Sequence, residues 1–191
     1  EPLRMVSSYV GLLESELAEH LDEETREFME YAADGADRMR GMIDGLLQYS
    51  RVETEGQAFE QTDADAVLDG VREDLQLTIN EAGAEIVADE LPTLHADANQ
   101  LGQLFQNLIK NAIEHGGEET TVTVTSTSVP EGVQFAVSDD GPGIATDQQE
   151  DIFGLFDKGG DSDGTGIGLA VCERIVNRHD GEIWVDSEPG D

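Results

Sequence analysis

Leu3, Val6, Val10, Leu13 and Leu17 recur at steps of three and four residues, and so do Phe28, Ala32, Gly35, Met39, Met42, Leu46 and Tyr49. That spacing puts one narrow apolar seam along each of two helices, as in a coiled coil. The short polar join Asp22-Glu23-Glu24 folds the two runs into an antiparallel helical hairpin whose second helix is long, spanning 24–52. One hairpin buries its seam on one side only. Two hairpins together make a four-helix bundle, so a homodimer is expected through residues 1–52. The alternative is that the hairpin packs on the rest of its own chain.

Beyond residue 52 the period is lost. Residues 53–61 read as a linker, and 62–191 as a second domain of α/β pattern. Its first strand is expected near Ala58–Thr62. A helix follows from about Asp63 to Ala82, with Thr62 or Asp63 as N-cap and acids in its first turn. Short strands fit Glu85–Ala88 and Thr93–Ala96. A helix over Ala98–His115 stops at Gly116-Gly117. Alternating strands fit Thr120–Ser128 and Val133–Ser138, and Glu182–Asp186 reads as a last strand after a helix that reaches His179. The predicted fold class is therefore α+β: a helical hairpin followed by an α/β sandwich.

Asp and Glu outnumber Lys and Arg by 43 to 10, a formal net charge of −33. The acids are interleaved with periodic apolar residues, which points to a folded protein with an acidic surface rather than a disordered one. Such a surface suits high salt, so the expected source is a halophilic organism, an archaeon by expectation. No basic patch is present to neutralise phosphates, which argues against nucleic acid or an anionic membrane as partner. No apolar run approaches the ~20 residues of a membrane span and no signal peptide is visible, so a cytoplasmic chain without membrane contact is expected. The single cysteine, Cys172, has no intramolecular partner and falls in an apolar helical run, as a buried inert thiol would.

Three strings carry chemistry. Asn107-Leu108-Ile109-Lys110-Asn111-Ala112 places two Asn side chains on one face of a helix. Asp139-Asp140-Gly141-Pro142-Gly143-Ile144 and Gly164-Thr165-Gly166-Ile167-Gly168-Leu169 are glycine boxes. Their glycines let backbone N–H groups approach phosphates closely. An Asp accepts a hydrogen bond from an adenine amino group, and an Asn oxygen suits Mg²⁺. Together, in this order, the strings point to a site for ATP. The only two lysines, Lys110 and Lys158, lie between the Asn pair and between the boxes. The stretch between the boxes is too long for an ordinary loop and reads as a lid over nucleotide, with Phe153 and Phe156 expected to anchor it by burial. A dinucleotide-binding reading of the second box fails, since no strand precedes it and the spacing is GxGxG.

With these residues in view, nearly the whole chain resembles the transmitter core of two-component sensor histidine kinases. The hairpin resembles their dimerisation and phosphotransfer domain. The remainder resembles the Bergerat-type ATP-binding domain shared with gyrase, Hsp90 and MutL (GHKL). The resemblance implies transfer of the ATP γ-phosphoryl group to a hairpin histidine, then to an aspartate of a response-regulator receiver domain. It implies ATP and Mg²⁺ as cofactors, and Asn107, Asn111 and Lys158 as catalytic residues, with Asn111 the metal ligand. The implied nucleotide-binding set is Asn111, His115, Asp139, Gly141, Gly143, Ile144, Lys158, Gly164, Thr165, Gly166, Gly168 and Leu169. Gyrase-type ATPases carry a Glu general base where this chain has Asn107, and an amide cannot take a proton from water; phosphotransfer is favoured over hydrolysis.

The chain departs from the family pattern in three places. Glu1-Pro2-Leu3-Arg4 looks like the tail of the phosphoacceptor box, so the acceptor His is expected just upstream of Glu1; none of His20, His95, His115 and His179 has a Pro five residues on. Glu114-His115 stands where many members have Lys and an aromatic. The chain stops at Glu188-Pro189-Gly190-Asp191, where the family adds a strand. A fragment cut at both ends is the expectation. The rival readings are a nucleotide-binding signalling scaffold without phosphotransfer and an ATP-driven conformational clamp.

Overall fold

The computed structural model describes residues 2–17, 22–117, 119–149, 151–156 and 165–188. The N-terminal hairpin consists of α1 (Pro2–Leu17) and α2 (Glu23–Thr54). Asp22, expected in the join, is the N-cap of α2. Its side chain accepts from the Thr25 N–H at 2.9 Å, and Glu23 and Glu24 complete the favourable acidic first turn. The join thus gives two of its three residues to the helix. Ser7 on α1 donates to Asp37 on α2 at 3.1 Å, a cross-helix tie that fixes the antiparallel register.

The second domain runs β1 (Glu60–Asp63), α3 (Ala64–Asp74), α4 (Gln76–Ala82), β2 (Glu85–Ala88), β3 (Thr93–Ala96), α5 (Ala98–Gly116), β4 (Thr121–Val129), β5 (Gly132–Ser138) and α6 (Gly168–Arg178). The single helix expected over Asp63–Ala82 is two. Backbone bonds still cross the break, from Leu75 N–H to Val71 and from Ile79 N–H to Leu75, both at 2.9 Å. Leu75 is buried in the core, so one irregular residue bends an otherwise continuous helical path. β1 pairs antiparallel with β3. A second sheet has the order β2-β4-β5, with β2 parallel and β5 antiparallel to β4.

Alternation along β4 turns Val122 and Val124 inward, where both are fully buried. Leu68 from α3, with Leu101, Phe105 and Ile109 from α5, covers them. Phe105 is wholly buried and meets Phe135 of β5 edge-on at 5.4 Å; burying such a ring contributes about 1.5–3 kcal/mol. This core fixes α5, the helix of the Asn pair, across the sheet.

The strand expected over Glu182–Asp186 is absent: the segment forms no ladder among the described residues. Its exposure alternates, with Ile183 and Val185 half-buried and Trp184 exposed. A strand needs partner hydrogen bonds as well as its own alternation, and here only the alternation is met.

The hairpin packs on the rest of its own chain along one face. Met42, Tyr49 and Val52 of α2 pack on Ile167, Val171 and Ile175 in a second core at α6. Tyr9, Leu12, Leu13, Phe28, Tyr31, Ile43 and Leu46 remain exposed.

Candidate nucleotide site

Asp97 N-caps α5, accepting from Asn99 N–H at 3.1 Å and Gln100 N–H at 3.3 Å. Ten residues on, Asn107 points toward the second glycine box. Its Nδ2 donates to the carbonyl of Gly168, the first residue of α6, at 3.3 Å. The Asn107 side chain also hydrogen-bonds the Cys172 thiol. Burial pushes that thiol up to about 12, outweighing this bond. Cys172 is fully buried and stays protonated, as the inert reading expects. One turn along, Asn111 is half-buried and its side chain makes no hydrogen bond among the described residues. Of the pair, Asn107 is committed to holding the second box, whereas Asn111 retains a free amide oxygen of the kind a hard cation takes.

The exposed end of α5 carries His115. Lys110 pairs with Glu114 at 3.3 Å on the solvent side, so its charge is already engaged. Gly116 meets the first box: a Cβ on Gly141 would lie 2.6 Å from Gly116 Cα and 2.6 Å from Asp139 Oδ1. Only glycine permits that approach. Asp139 Oδ1 accepts from the Gly141 N–H at 3.0 Å, a local turn that holds the carboxylate at the surface with its other oxygen unused by this bond. Gly143 has φ 71° and abuts the Glu188 carbonyl. The Ile144 N–H donates to Ser187 Oγ at 2.9 Å. Gln149 Nε2 ties the Ile144 and Ser187 carbonyls, each at 2.8 Å.

In the second box, Gly166 has φ 66°, and its carbonyl accepts from the Phe156 N–H at 2.8 Å. Thr165, Gly168 and Leu169 are half-buried around it. Lys158 and Gly164 lie outside the described residues. In the segment between the boxes, Ile152 is buried. Phe153 is half-buried, but Phe156, expected to be an anchor, is 50% exposed at φ 68°. Its backbone, rather than its ring, makes the attachment.

Several structural supports of the site escaped sequence reasoning. Asp140, the neighbour of the proposed adenine acceptor, accepts from the Thr120 hydroxyl at 2.7 Å and the Thr121 N–H at 2.8 Å. These bonds, the hydroxyl first, hold its carboxyl below the usual carboxylate range. A lowered folded pKa stabilises above the unfolded value, and the gain is lost as pH falls through the folded one. The difference in melting temperature between wild type and Asp140→Asn is therefore expected to be constant above about pH 5 and to shrink in acid. A difference that stays constant through acid would sink this account. Ser187 and Gln149 gave no local signal, because their partners are some forty residues away or set by the loop.

The first box lies against the end of α5, the second is tied to its middle, and between them Asn111 has no hydrogen-bond partner among the described residues. The residues fit a nucleotide with its cation. The chain belongs to the histidine kinase-, DNA gyrase B- and HSP90-like ATPase family, whose model matches residues 96–191, half of the chain. A His Kinase A (phospho-acceptor) domain model matches residues 1–55; the two together make a histidine kinase core.

The phytochrome-like protein Cph1 of Synechocystis sp. is 39% identical over 195 residues, covering 100% of this chain and 26% of that protein. The chain thus spans about a quarter of the length of that curated relative. The solved structure of full-length ShkA in complex with AMPPNP is 29% identical, with a TM-score of 0.70, and covers 100% of this chain and 41% of its own. The histidine kinase ThkA, solved in complex with the response regulator protein TrrA, shares the fold at 22% identity and TM-score 0.70, over 99% of this chain and 56% of that one. No helix among the described residues is long and apolar enough to cross a membrane.

Proposed function

We propose that the chain binds ATP with Mg²⁺ and, in its parent protein, transfers the γ-phosphoryl group to a histidine of the hairpin for relay to a response-regulator aspartate. The observation carrying this reading is the convergence of α5 with both glycine boxes, through Gly116 against Gly141 and Asn107 on Gly168. Asp139 would read adenine. Asn111 would hold Mg²⁺, which neutralises phosphate charge when bound. Gly164, Gly166 and Gly168 would wrap the phosphates, aided by the N-terminus of α6. Lys158 would add charge, and His115 would flank the base. Such transfer needs position and charge neutralisation rather than covalent help from the protein.

The hairpin register supports the geometry. Ser7 lies level with Asp37, so the N-terminal end of antiparallel α1 lies near the level of Gly41, beside Thr165 of the second box. An acceptor His just upstream of Glu1 would lie at that end of the hairpin. The domain boundaries 1–52, 53–61 and 62–191 follow from the same reading, as does a cytoplasmic location.

The test is incubation of the parent protein, extended upstream to the acceptor His, with radiolabelled ATP and Mg²⁺. Acid-labile, base-stable label on the protein is expected. Nucleotide binding with no such label would favour the scaffold reading.

We propose further that the exposed apolar rows of the hairpin pair with a second copy, and that the surface charge of −33 is suited to a salt-loving host. Sedimentation across a potassium chloride series is expected to show a dimer that tightens as self-repulsion is screened. A monomer at every salt concentration would refute the pairing.

A further inference from the structure

We infer that Gly41 and Gly45 of α2 are positioning residues for the phosphate-wrapping box, which is shaped against the hairpin rather than by its own domain alone. The inference rests on the nucleotide reading of that box. Gly41 and Gly45 are one helical turn apart and face the same way. A Cβ on Gly41 would lie 2.7 Å from Thr165 Cγ2; one on Gly45 would lie 2.9 Å from Ile167 Cδ1 and 3.1 Å from Ile167 Cβ. Two consecutive elements of the box, on either side of Gly166, therefore rest on bare helix backbone.

The contact is continued by buried groups. Ile167 is 1% exposed and belongs to the core that joins Val52 of α2 to Val171 and Ile175 of α6. Arg174 pairs with Glu53 at 3.1 Å and lies over the Tyr49 ring at 4.5 Å. From the other side, Asn107 holds Gly168. The box is thus set between α5, which carries the proposed cation ligand, and α2. The methyl of Thr165 rests on the hairpin, while its hydroxyl makes no hydrogen bond among the described residues. With nucleotide in the second box, this one side chain would join the helix to the site.

Gly35 supplies an internal control. It lies on the same helix, and a Cβ there would meet nothing within 4 Å. Any gain in helix propensity from alanine is common to both positions.

The test is calorimetric binding of AMPPNP with Mg²⁺ to the full chain carrying Gly41→Ala, Gly35→Ala, Thr165→Ser, or Gly41→Ala with Thr165→Ser. Overpacking at Gly41 is expected to weaken binding roughly ten-fold, whereas Gly35→Ala leaves it unchanged. Thr165→Ser removes the clashing methyl and keeps the hydroxyl. In its background, adding Gly41→Ala is expected to change affinity by less than about two-fold. Equal affinity of Gly41→Ala and wild type would mean that the hairpin yields and the box does not, which overturns the inference. So would a loss undiminished in the Thr165→Ser background. If wild type itself fails to bind AMPPNP, the nucleotide reading falls first. Should Gly41→Ala fail to fold, Gly45→Ala alone tests the second contact, 2.9 Å from Ile167 Cδ1 and 3.1 Å from its Cβ: weaker AMPPNP binding than Gly35→Ala is expected, and equal binding overturns the inference.

Discussion

Asp139→Ala is expected to weaken ATP binding by roughly ten- to a hundred-fold, since a hydrogen bond to a charged acceptor contributes about 1.5–3 kcal/mol. Asp139→Asn separates recognition from loop shape. The Asn carbonyl oxygen still accepts the Gly141 N–H that Asp139 Oδ1 accepts now at 3.0 Å. The turn therefore survives, but an amide N–H₂ replaces the second carboxylate oxygen and faces the adenine amino group donor to donor. Both variants should lose affinity for ATP while melting close to wild type, because Asp139 is exposed. If Asp139→Asn binds as tightly as wild type in a calorimetric titration, Asp139 does not read the base.

Asp97→Ala is expected to destabilise the fold by about 3–5 kcal/mol, the usual result of removing one partner of a buried ion pair. At this chain length that corresponds to a melting temperature roughly 6–20 °C lower. Asp97 is 2% exposed. One oxygen caps α5. The other accepts the Gln57 N–H at 2.6 Å and Arg178 Nη1 at 3.1 Å. Arg178 continues to Gln100 Oε1 at 2.7 Å and the Gln57 carbonyl at 2.7 Å, with Phe59 beneath it at 4.8 Å. Gln100 Nε2 in turn donates to the Val52 carbonyl at 2.7 Å. The carboxylate therefore serves the segment after α2, the start of α5 and the end of α6 at once. Asp97→Asn keeps the cap and loses the charge, and should fall between wild type and alanine. A loss below about 1 kcal/mol for Asp97→Ala would mean that the pair behaves like a surface one.

The hairpin was legible because its seam repeats over many turns. So were β2 and β3, which run Glu85–Ala88 and Thr93–Ala96 as expected from short apolar runs between breakers. α5 was legible from its period and from the glycine pair at its end. The glycine boxes were visible as strings, since close backbone approach demands glycine at fixed spacing.

What the sequence hid is long-range. Whether Glu182–Asp186 pairs depends on hydrogen bonds from elsewhere. Phe156 looked like a core residue by type, yet it occupies a left-handed turn, and its backbone bond to Gly166 takes precedence. Asp97 announced itself only as one polar residue before a helix. Its partners Gln57 and Arg178 are 40 and 81 residues away, and no local pattern encodes them. Gly41 and Gly45 lie off the seam, and nothing local in the sequence marks Thr165 and Ile167 as their neighbours.

The Arg178 bond to the Gln57 carbonyl closes a loop of 121 residues. Contacts of such separation form after local ones, because their chain-closure entropy must be met first. The helical hairpin and the α5 layer can each assemble from nearby sequence; the bond that seals them waits for the last helix. Loss of Arg178 should therefore leave the refolding rate nearly unchanged and speed unfolding, which stopped-flow kinetics on Arg178→Met would read directly. A slowed refolding rate would place the seal early. Durability of the assembled molecule would then be set by a contact that plays no part in starting it.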